Sequence, residues 1–334
     1  MRMNGPLRIQ TVRYGGQDGP LVRFVGSVAA SVRVARDRLG IDIAAFALGD
    51  CGGPEGVEAT LEPDVIDRLA RIFDKASISF EYQPFFANLG HGAGQNQLAG
   101  LGAQRGSPAG SRPSSTFEVM DGELDQEPQY LVMLNPDTYL VPDALCALLE
   151  SLGDPDVGIA EARQIPLEHP KPFDLITGET PWASGCAMVL PFRTFSAVGG
   201  FDPGFFLHGD DVDLSWRVRM RGLVVRHVVG AAIFHDKRPT GDGVPEPTHE
   251  EERQGMLARL LLAHRAERPE VIEEWLSWAD SHGTARHRDG AAEFRRRQER
   301  GELPLPYRQA LSIDMGTVSA VATFFGSEYA EHRF

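Results

Sequence analysis

Cysteine is scarce in this sequence: three in 334 residues, at Cys51, Cys146 and Cys186. They are odd in number, far apart and without metal-ligand spacing. That excludes a disulfide framework and a cysteine-based metal centre, and predicts free thiols in a reducing compartment. Long apolar runs are also missing. No uncharged stretch approaches the roughly 18 residues that cross a bilayer, and no apolar segment of signal-peptide length follows Met1–Pro6. Positive charge is short as well: 33 Lys and Arg against 47 Asp and Glu leave a net charge of −14. A chain this acidic is not expected to bind nucleic acid. The expected location is the cytoplasm, with peripheral contact at the inner face of the membrane left open. No internal repeat is visible, and no strand-loop-helix presents the dinucleotide-binding G-x-G-x-x-G.

What is present is ordinary globular composition, 42% apolar and 24% charged, in a chain long enough for about two domains. The first half alternates apolar runs with helical periodicity. Residues 7 to 14, 41 to 48, 77 to 82 and 130 to 134 read as strands. Between them, a helix from Ser27 to Leu39 buries Val28, Val32 and Ala35, and another from Glu62 to Phe73 buries Val65, Ile66 and Leu69. A small-residue helix spans about Gln95 to Leu101, and Pro142 opens a helix carrying Leu145, Leu148 and Leu149. This alternation predicts an α/β fold with a mostly parallel central sheet flanked by helices. Ligands then belong beyond the carboxyl ends of the strands. The second half adds a strand at Ala187–Pro191, an acidic-to-basic helix at Asp211–Met220, and a strand region from Leu223 to Phe234. Helices follow at Glu250–Ala266 and Pro269–Ser281, then an arginine-rich stretch around Arg295–Arg297 and an apolar tail from Leu311 to Phe325. The Gly/Ser/Pro/Arg-rich segment 102–116 reads as an inserted loop.

Chemistry-bearing residues gather at strand ends. Asn135-Pro136-Asp137 follows the most apolar strand; Asp137 can ligate a hard cation that holds a diphosphate, or simply form a turn. Asp210, Asp211 and Asp213 crowd the start of a helix. They are either caps paired with Arg217 or Arg221, or a site where one carboxylate takes a proton from a hydroxyl. His235 ends an apolar strand and is either a third ligand or structural. Gly90, Gly92 and Gly94 permit close backbone approach to a ligand.

Taken in order, these blocks resemble the inverting glycosyltransferase family 2 on the GT-A fold, most closely its bacterial rhamnosyltransferase-like members. The resemblance spans roughly residues 7 to 240. It implies a GT-A catalytic domain at 1–240, with nucleotide-sugar binding at about 1–140 and the acceptor side at about 141–240, followed by a mainly helical C-terminal extension at 241–334. Asp50 in Gly49-Asp50-Cys51-Gly52 matches the aspartate that contacts the donor base or ribose. Asn88-Leu89-Gly90 through Asn96 is similar to the family's N-L-G-x-x-x-x-x-N, bordering the nucleotide at Asn88, Gly90 and Asn96. Leu134-Asn135-Pro136-Asp137 stands where the D-x-D variant does, with Asn135 in the place of the first acid. Arg13 and Tyr14 then line the nucleotide pocket. Ala183-Ser184-Gly185 through Gly199-Gly200-Phe201-Asp202 to Asp210-Asp211-Val212-Asp213-Leu214 resembles the acceptor segment ending in E-D-x-D-L-x-x-R.

By that match Asp211 is the catalytic base and Asp210 the second choice, Asp137 and His235 hold Mg²⁺ or Mn²⁺, and Gly199-Gly200 is the turn that admits the acceptor. The implied reaction moves one sugar, with inversion, from a dTDP- or UDP-sugar (dTDP-rhamnose as the family-level lean) to a saccharide or lipid-linked saccharide during surface-glycan synthesis. Trp182 is expected either to stack on an acceptor sugar or to sit in the core. The segments 102–116 and after His235 are the expected lids. A homodimer stays open. The rivals are a sugar nucleotidyltransferase, a sugar-nucleotide hydrolase and a catalytically silent nucleotide-sugar or glycan-binding scaffold protein.

Overall fold

The computed structural model describes residues 5–41, 44–101, 128–169, 171–237 and 247–307. In chain order the elements are β1 (Leu7–Arg13), α1 (Asp18–Leu39), β2 (Ala44–Asp50), α2 (Pro63–Asp74), β3 (Ser79–Pro84), α3 (His91–Leu98), β4 (Tyr130–Leu134), β5 (Thr138–Leu140), α4 (Ala144–Ser151), β6 (Val157–Ile165), β7 (Ala187–Pro191), α5 (Phe192–Ala197), α6 (Asp210–Arg219), β8 (Val224–His235), α7 (His249–Arg265), α8 (Pro269–Ser281) and α9 (Ala285–Arg300). Among the described residues no helix is long and apolar enough to cross a membrane.

One eight-stranded sheet runs in the order β3-β2-β1-β4-β7-β6-β8-β5. The β3-β2-β1-β4 half is parallel, as helices on the intervening crossovers require. The other half is mixed: β7 runs antiparallel to both β4 and β6, while β6 and β8 are parallel and β5 turns back antiparallel on β8. The sheet is therefore less uniformly parallel than the alternation of the first half predicts. Strand β6 is the element the periodicity hides. Its VGIAEARQI places Glu161 at the centre of a buried run, and that carboxylate is fully covered.

Helix α1 begins at Asp18, nine residues before the expected cap at Ser27. Gly19 and Pro20 look like turn residues, but proline is tolerated in a first helical turn. Ser27 lies inside the helix, donating to the Phe24 carbonyl and accepting from Leu140 N–H of β5. The helix buries Leu21, Phe24, Val25, Val28, Val32, Ala35 and Leu39 in the main core with Phe46, Leu69 and Phe73. Each of the Leu, Val and Phe side chains contributes about 1.5–3 kcal/mol.

A second core joins the C-terminal helices to the rest. Met256, Leu257, Leu260 and Leu261 of α7 and Phe294 of α9 pack with Trp182, Phe205, Val212, Trp216 and Tyr307. The expected domain boundary near 240 and the expected lids and apolar tail fall on residues outside the described ones. Arg295 pairs with Asp280, and Arg296 and Arg297 pair with Glu293, on a solvated helix face.

Candidate functional site

Strands β1, β2 and β4 end on the same edge, and β8 delivers His235 to it. A cleft of about 550 Å³ opens there. It gathers Arg13, Tyr14, Asn88, Gly90, Asn135 and Asp137 of the predicted set, and adds His91, Phe206, Leu207, Asp236, Glu250 and Glu251. Asp50, Asn96, Asp210, Asp211 and His235 do not line it; His235 stands behind Asp137.

Arg13 and Asp50 are register partners at the ends of β1 and β2. The guanidinium Nη1 of Arg13 donates to both Asp50 oxygens at 2.8 Å. Asp50 also accepts from Gly52 N–H, Leu61 N–H and the Tyr82 hydroxyl, and is fully buried. Its acceptor capacity is spent on the protein, so it braces the loop behind the cleft; it has no free oxygen for a donor base or ribose. Burial, followed by the hydrogen bond to Asp50, pushes the Tyr82 hydroxyl up to about 12. Sequence alone suggests an aspartate at the strand's end. It does not show that the arginine on the neighbouring strand claims it.

Asn96 is buried and pinned at both ends: its Nδ2 donates to the Phe201 carbonyl and its Oδ1 accepts Phe201 N–H, each at 2.8 Å. It staples α3 to the Gly199-Gly200 turn, where a Cβ on Gly200 would lie 2.5 Å from Asn96 Oδ1. The role beside a nucleotide that the resemblance implies does not fit this geometry. Gly90 has φ +75°, and a Cβ there would meet the Phe206 carbonyl at 2.3 Å. That glycine is needed for chain-on-chain contact, with His91 N–H donating to the same carbonyl. Asn88 Oδ1 accepts Gly90 N–H and sets the turn.

Asp137 follows β4 through the Asn135 turn, whose carbonyl accepts from Thr138. Its side chain is half exposed, yet Oδ1 is shielded from solvent and, among the described residues, accepts no hydrogen bond. The facing group is His235 Nε2, 3.5 Å away. The pairing of β5 with β8 puts Thr138 opposite His235, which is why residues so distant in sequence meet. Among the described residues no cluster of three or more His, Cys, Asp or Glu side chains forms a complete metal cage. One carboxylate is what a Mg²⁺-type site completed by substrate phosphate and water takes from the protein, and an imidazole beside it favours a transition-metal ion such as Mn²⁺ over Mg²⁺.

Helix α6 starts with two carboxylates in different surroundings. Asp210 is buried, with Oδ2 2.6 Å from Nδ1 of His91. Burial pushes the Asp210 carboxyl up, but His91 overrides it and holds the group below the usual carboxylate range. Burial likewise pushes His91 down, and Asp210 more than restores it, leaving the imidazole above its ordinary value. Asp211 is half-buried; Gly185 N–H donates to its Oδ2 and Val212 N–H to its Oδ1. The loop before β7 links the parts: Ser184 N–H donates to Glu161, Gly185 N–H to Asp211, and the Cys186 carbonyl accepts from Asn135. Glu161 is in turn bound by Lys171 and His227. His91 and Glu161 are the participants that sequence reasoning missed; each is a lone polar residue in an apolar or glycine-rich run and carries no local signal.

Asp213 is fully buried and bound by Arg217, Arg265 and Tyr307. Arg217 also donates to the Val198 and Gly200 carbonyls. Trp182 is 3% exposed within the second core, with the Lys171 ammonium 3.9 Å from its ring, so it is a core residue without a free face for a sugar.

Comparison with known proteins agrees with this architecture. No family model matches the chain. It is 25% identical over 193 residues to the N-acetylglucosaminyl-diphospho-decaprenol L-rhamnosyltransferase of Mycobacterium tuberculosis, covering 46% of this chain and 58% of that one. The chain thus spans little more than half the length of that relative. Among solved structures it is similar to the mannosyltransferase PcManGT from Pyrobaculum calidifontis in complex with GDP-Man and Mn²⁺, with TM-score 0.53, 12% identity, and 97% of this chain and 88% of that one covered. It is also similar to GalNAc-T7 with UDP, GalNAc and Mn²⁺, with TM-score 0.55, 12% identity, and 96% and 58% covered. The fold is that of the GT-A glycosyltransferases. Within that class the sequence is similar to rhamnosyltransferases, as its motifs imply.

Proposed function

We propose that the chain is a metal-dependent inverting glycosyltransferase that moves a sugar from a nucleoside diphosphate, a UDP- or dTDP-sugar, to a saccharide or lipid-linked saccharide hydroxyl. The observation that carries this reading is the charge of the cleft. Among the described residues it is lined by Asp18, Asp137, Asp236, Glu250 and Glu251, with Glu250 paired to Arg253, against the guanidinium of Arg13, already committed to Asp50, and the imidazole of His91, paired with Asp210. A diphosphate entering so acidic a cleft would be repelled unless a divalent cation came with it. The shielded Oδ1 of Asp137, which faces His235 Nε2 and accepts no hydrogen bond among the described residues, fits such a cation. When bound, the ion would neutralise charge developing on the leaving diphosphate.

The chain's own residues supply the rest. Tyr14, half exposed at the rim, offers an aromatic face to the nucleotide, and Asn88 and Asn135 offer amides. Asp211 takes the proton from the acceptor hydroxyl as it attacks the anomeric carbon from the face opposite the diphosphate. Gly185 N–H and Val212 N–H hold that carboxylate in place. Asp210 is unsuited to the task because His91 occupies it. The rhamnosyltransferase similarity supports a rhamnosyl donor and a lipid-linked acceptor.

Parallel calorimetric titrations with UDP and dTDP, each with and without Mn²⁺, test the reading. Metal-dependent binding of one nucleotide is expected. Equal binding with and without metal, or no binding by folded protein, would overturn it.

A further inference from the structure

The imidazole that faces Asp137 is itself held from behind. In parallel register β6 places Gln164 opposite Ile233, two residues before the end of β8. Gln164 is buried, and its Oε1 lies 2.9 Å from His235 Nδ1. Four residues on, Glu168 folds back over the same glutamine. Its Oε2 accepts Gln164 backbone N–H at 2.7 Å, and its Oε1 accepts the Gln164 side-chain amide at 3.3 Å. His169 N–H donates to that Oε1 as well.

These contacts fix a direction. A carboxylate is acceptor-only when ionised, so the Gln164 NH₂ group must face Glu168. The amide oxygen then faces His235, and an oxygen accepts only from a protonated Nδ1. Turning the amide over would set its oxygen against the Glu168 carboxylate and its NH₂ group against a lone pair on Nδ1, losing one hydrogen bond and creating a repulsive contact. A neutral His235 is thereby held as the Nδ1–H tautomer, with the Nε2 lone pair aimed at Asp137 Oδ1. That lone pair and Asp137 Oδ1, 3.5 Å apart, call for something electrophilic between them, either a cation or a second proton on the imidazole.

We infer that Gln164 and Glu168 are positioning residues that fix the tautomer of His235 and present its Nε2 to a divalent cation shared with Asp137. The inference rests on the metal-dependent reading above. Neither residue touches the cleft. They act through His235, as an outer-shell partner acts on a metal-ligating histidine.

The test has two arms. In the metal-free protein labelled with ¹⁵N at histidine, long-range ¹H–¹⁵N correlation spectra report which nitrogen of His235 carries the proton, its signals identified by their loss in His235→Asn. The wild type is expected to show Nδ1 protonated and Nε2 bare. Gln164→Met, which keeps the shape and removes the acceptor, is expected to shift His235 toward the Nε2–H form. Glu168→Gln, which frees the amide to turn over, should move it part of the way. In the second arm, Mn²⁺ affinity in the presence of the nucleoside diphosphate is expected to fall by about 10- to 100-fold in Gln164→Met. A residue that merely supported the fold would lower the melting temperature of this variant without changing the tautomer.

An Nε2–H tautomer in the wild type overturns the relay. So does a Gln164→Met variant that keeps both the tautomer and the wild-type Mn²⁺ affinity. Absence of Mn²⁺ binding by the wild type, with the Nδ1–H tautomer in place, instead overturns the metal-dependent function and, with it, the purpose assigned to the relay.

Discussion

His91 Nδ1 lies 2.6 Å from Asp210 Oδ2, and this contact separates the two adjacent carboxylates at the start of α6 into different roles. Asp210 is spent on the imidazole. Asp211, half-buried and held among the described residues by two backbone N–H groups, keeps lone pairs for a proton. Asp211→Asn is therefore expected to lower kcat by about 10²- to 10⁴-fold, the usual contribution of general-base catalysis. Nucleotide affinity should stay unchanged, because Asp211 does not line the cleft. Asp210→Asn should lower the melting temperature more than it lowers turnover. Steady-state kinetics with the donor identified by calorimetry, set beside thermal melts, checks both. The reverse ranking would make Asp210 the base.

The same pair gives a signed dependence of stability on pH. His91 is raised above its ordinary 6.5, so its contribution is complete below 6.5 and is lost as pH climbs through the raised value. Asp210 is lowered below its ordinary 3.8, so its contribution is present above 3.8 and is lost as pH falls through the lowered value. Asp211 and His208 also act on this pair and favour the charged forms. The stability difference between wild type and His91→Gln should be largest at about pH 4.5–6 and shrink toward pH 9. Urea denaturation across that range measures it; a flat difference would mean that folding leaves the His91 pKa unshifted, and a difference that shrinks as pH falls below 6.5 would mean that folded His91 stays neutral.

Much of the cleft was legible because strand ends can be read locally. Apolar runs stop at Asp50, at Asn135-Pro136-Asp137 and at His235, and parallel topology forces the first two of these ends to one edge. What could not be read is who claims each polar group. Asp50 and Arg13 are 37 residues apart and meet only through strand register. Asn96 reaches Phe201 across 105 residues. The mixed half of the sheet was hidden because Glu161 interrupts an apolar run; of its partners, Lys171 lies in the segment after β6, and His227 appears only once β6 and β8 are paired.

Asn96 separates a ligand-binding role from a structural one. With both ends of its amide on the Phe201 backbone, Asn96→Ala leaves a buried N–H and a buried carbonyl without partners. Each costs about 1–3 kcal/mol. The midpoint of thermal unfolding should fall by several degrees while the dissociation constant for the nucleotide changes by less than about threefold. Loss of nucleotide affinity without loss of stability would return Asn96 to the donor pocket.

Arg265 decides whether the C-terminal helices are an appendage or part of the catalytic fold. Its guanidinium reaches from α7 to Asp213 and Asp202, and Tyr307 donates to the same Asp213 oxygen at 2.9 Å. Burial pushes the Arg265 guanidinium down, but Asp213 ahead of the others holds it above its ordinary value, so it stays charged at any working pH. Arg265→Met removes one partner of a buried charge network and is expected to cost about 3–5 kcal/mol. Tyr307→Phe removes one hydrogen bond to a charged group and should cost about 2 kcal/mol. Because Asp213 lies on α6 two residues beyond Asp211, the larger loss should also lower kcat, whereas metal and nucleotide binding at the strand ends should persist. Chemical denaturation of both variants, with nucleotide calorimetry on the folded fraction, tests this. If Arg265→Met unfolds at the wild-type midpoint, the extension is packed on the domain without stabilising it.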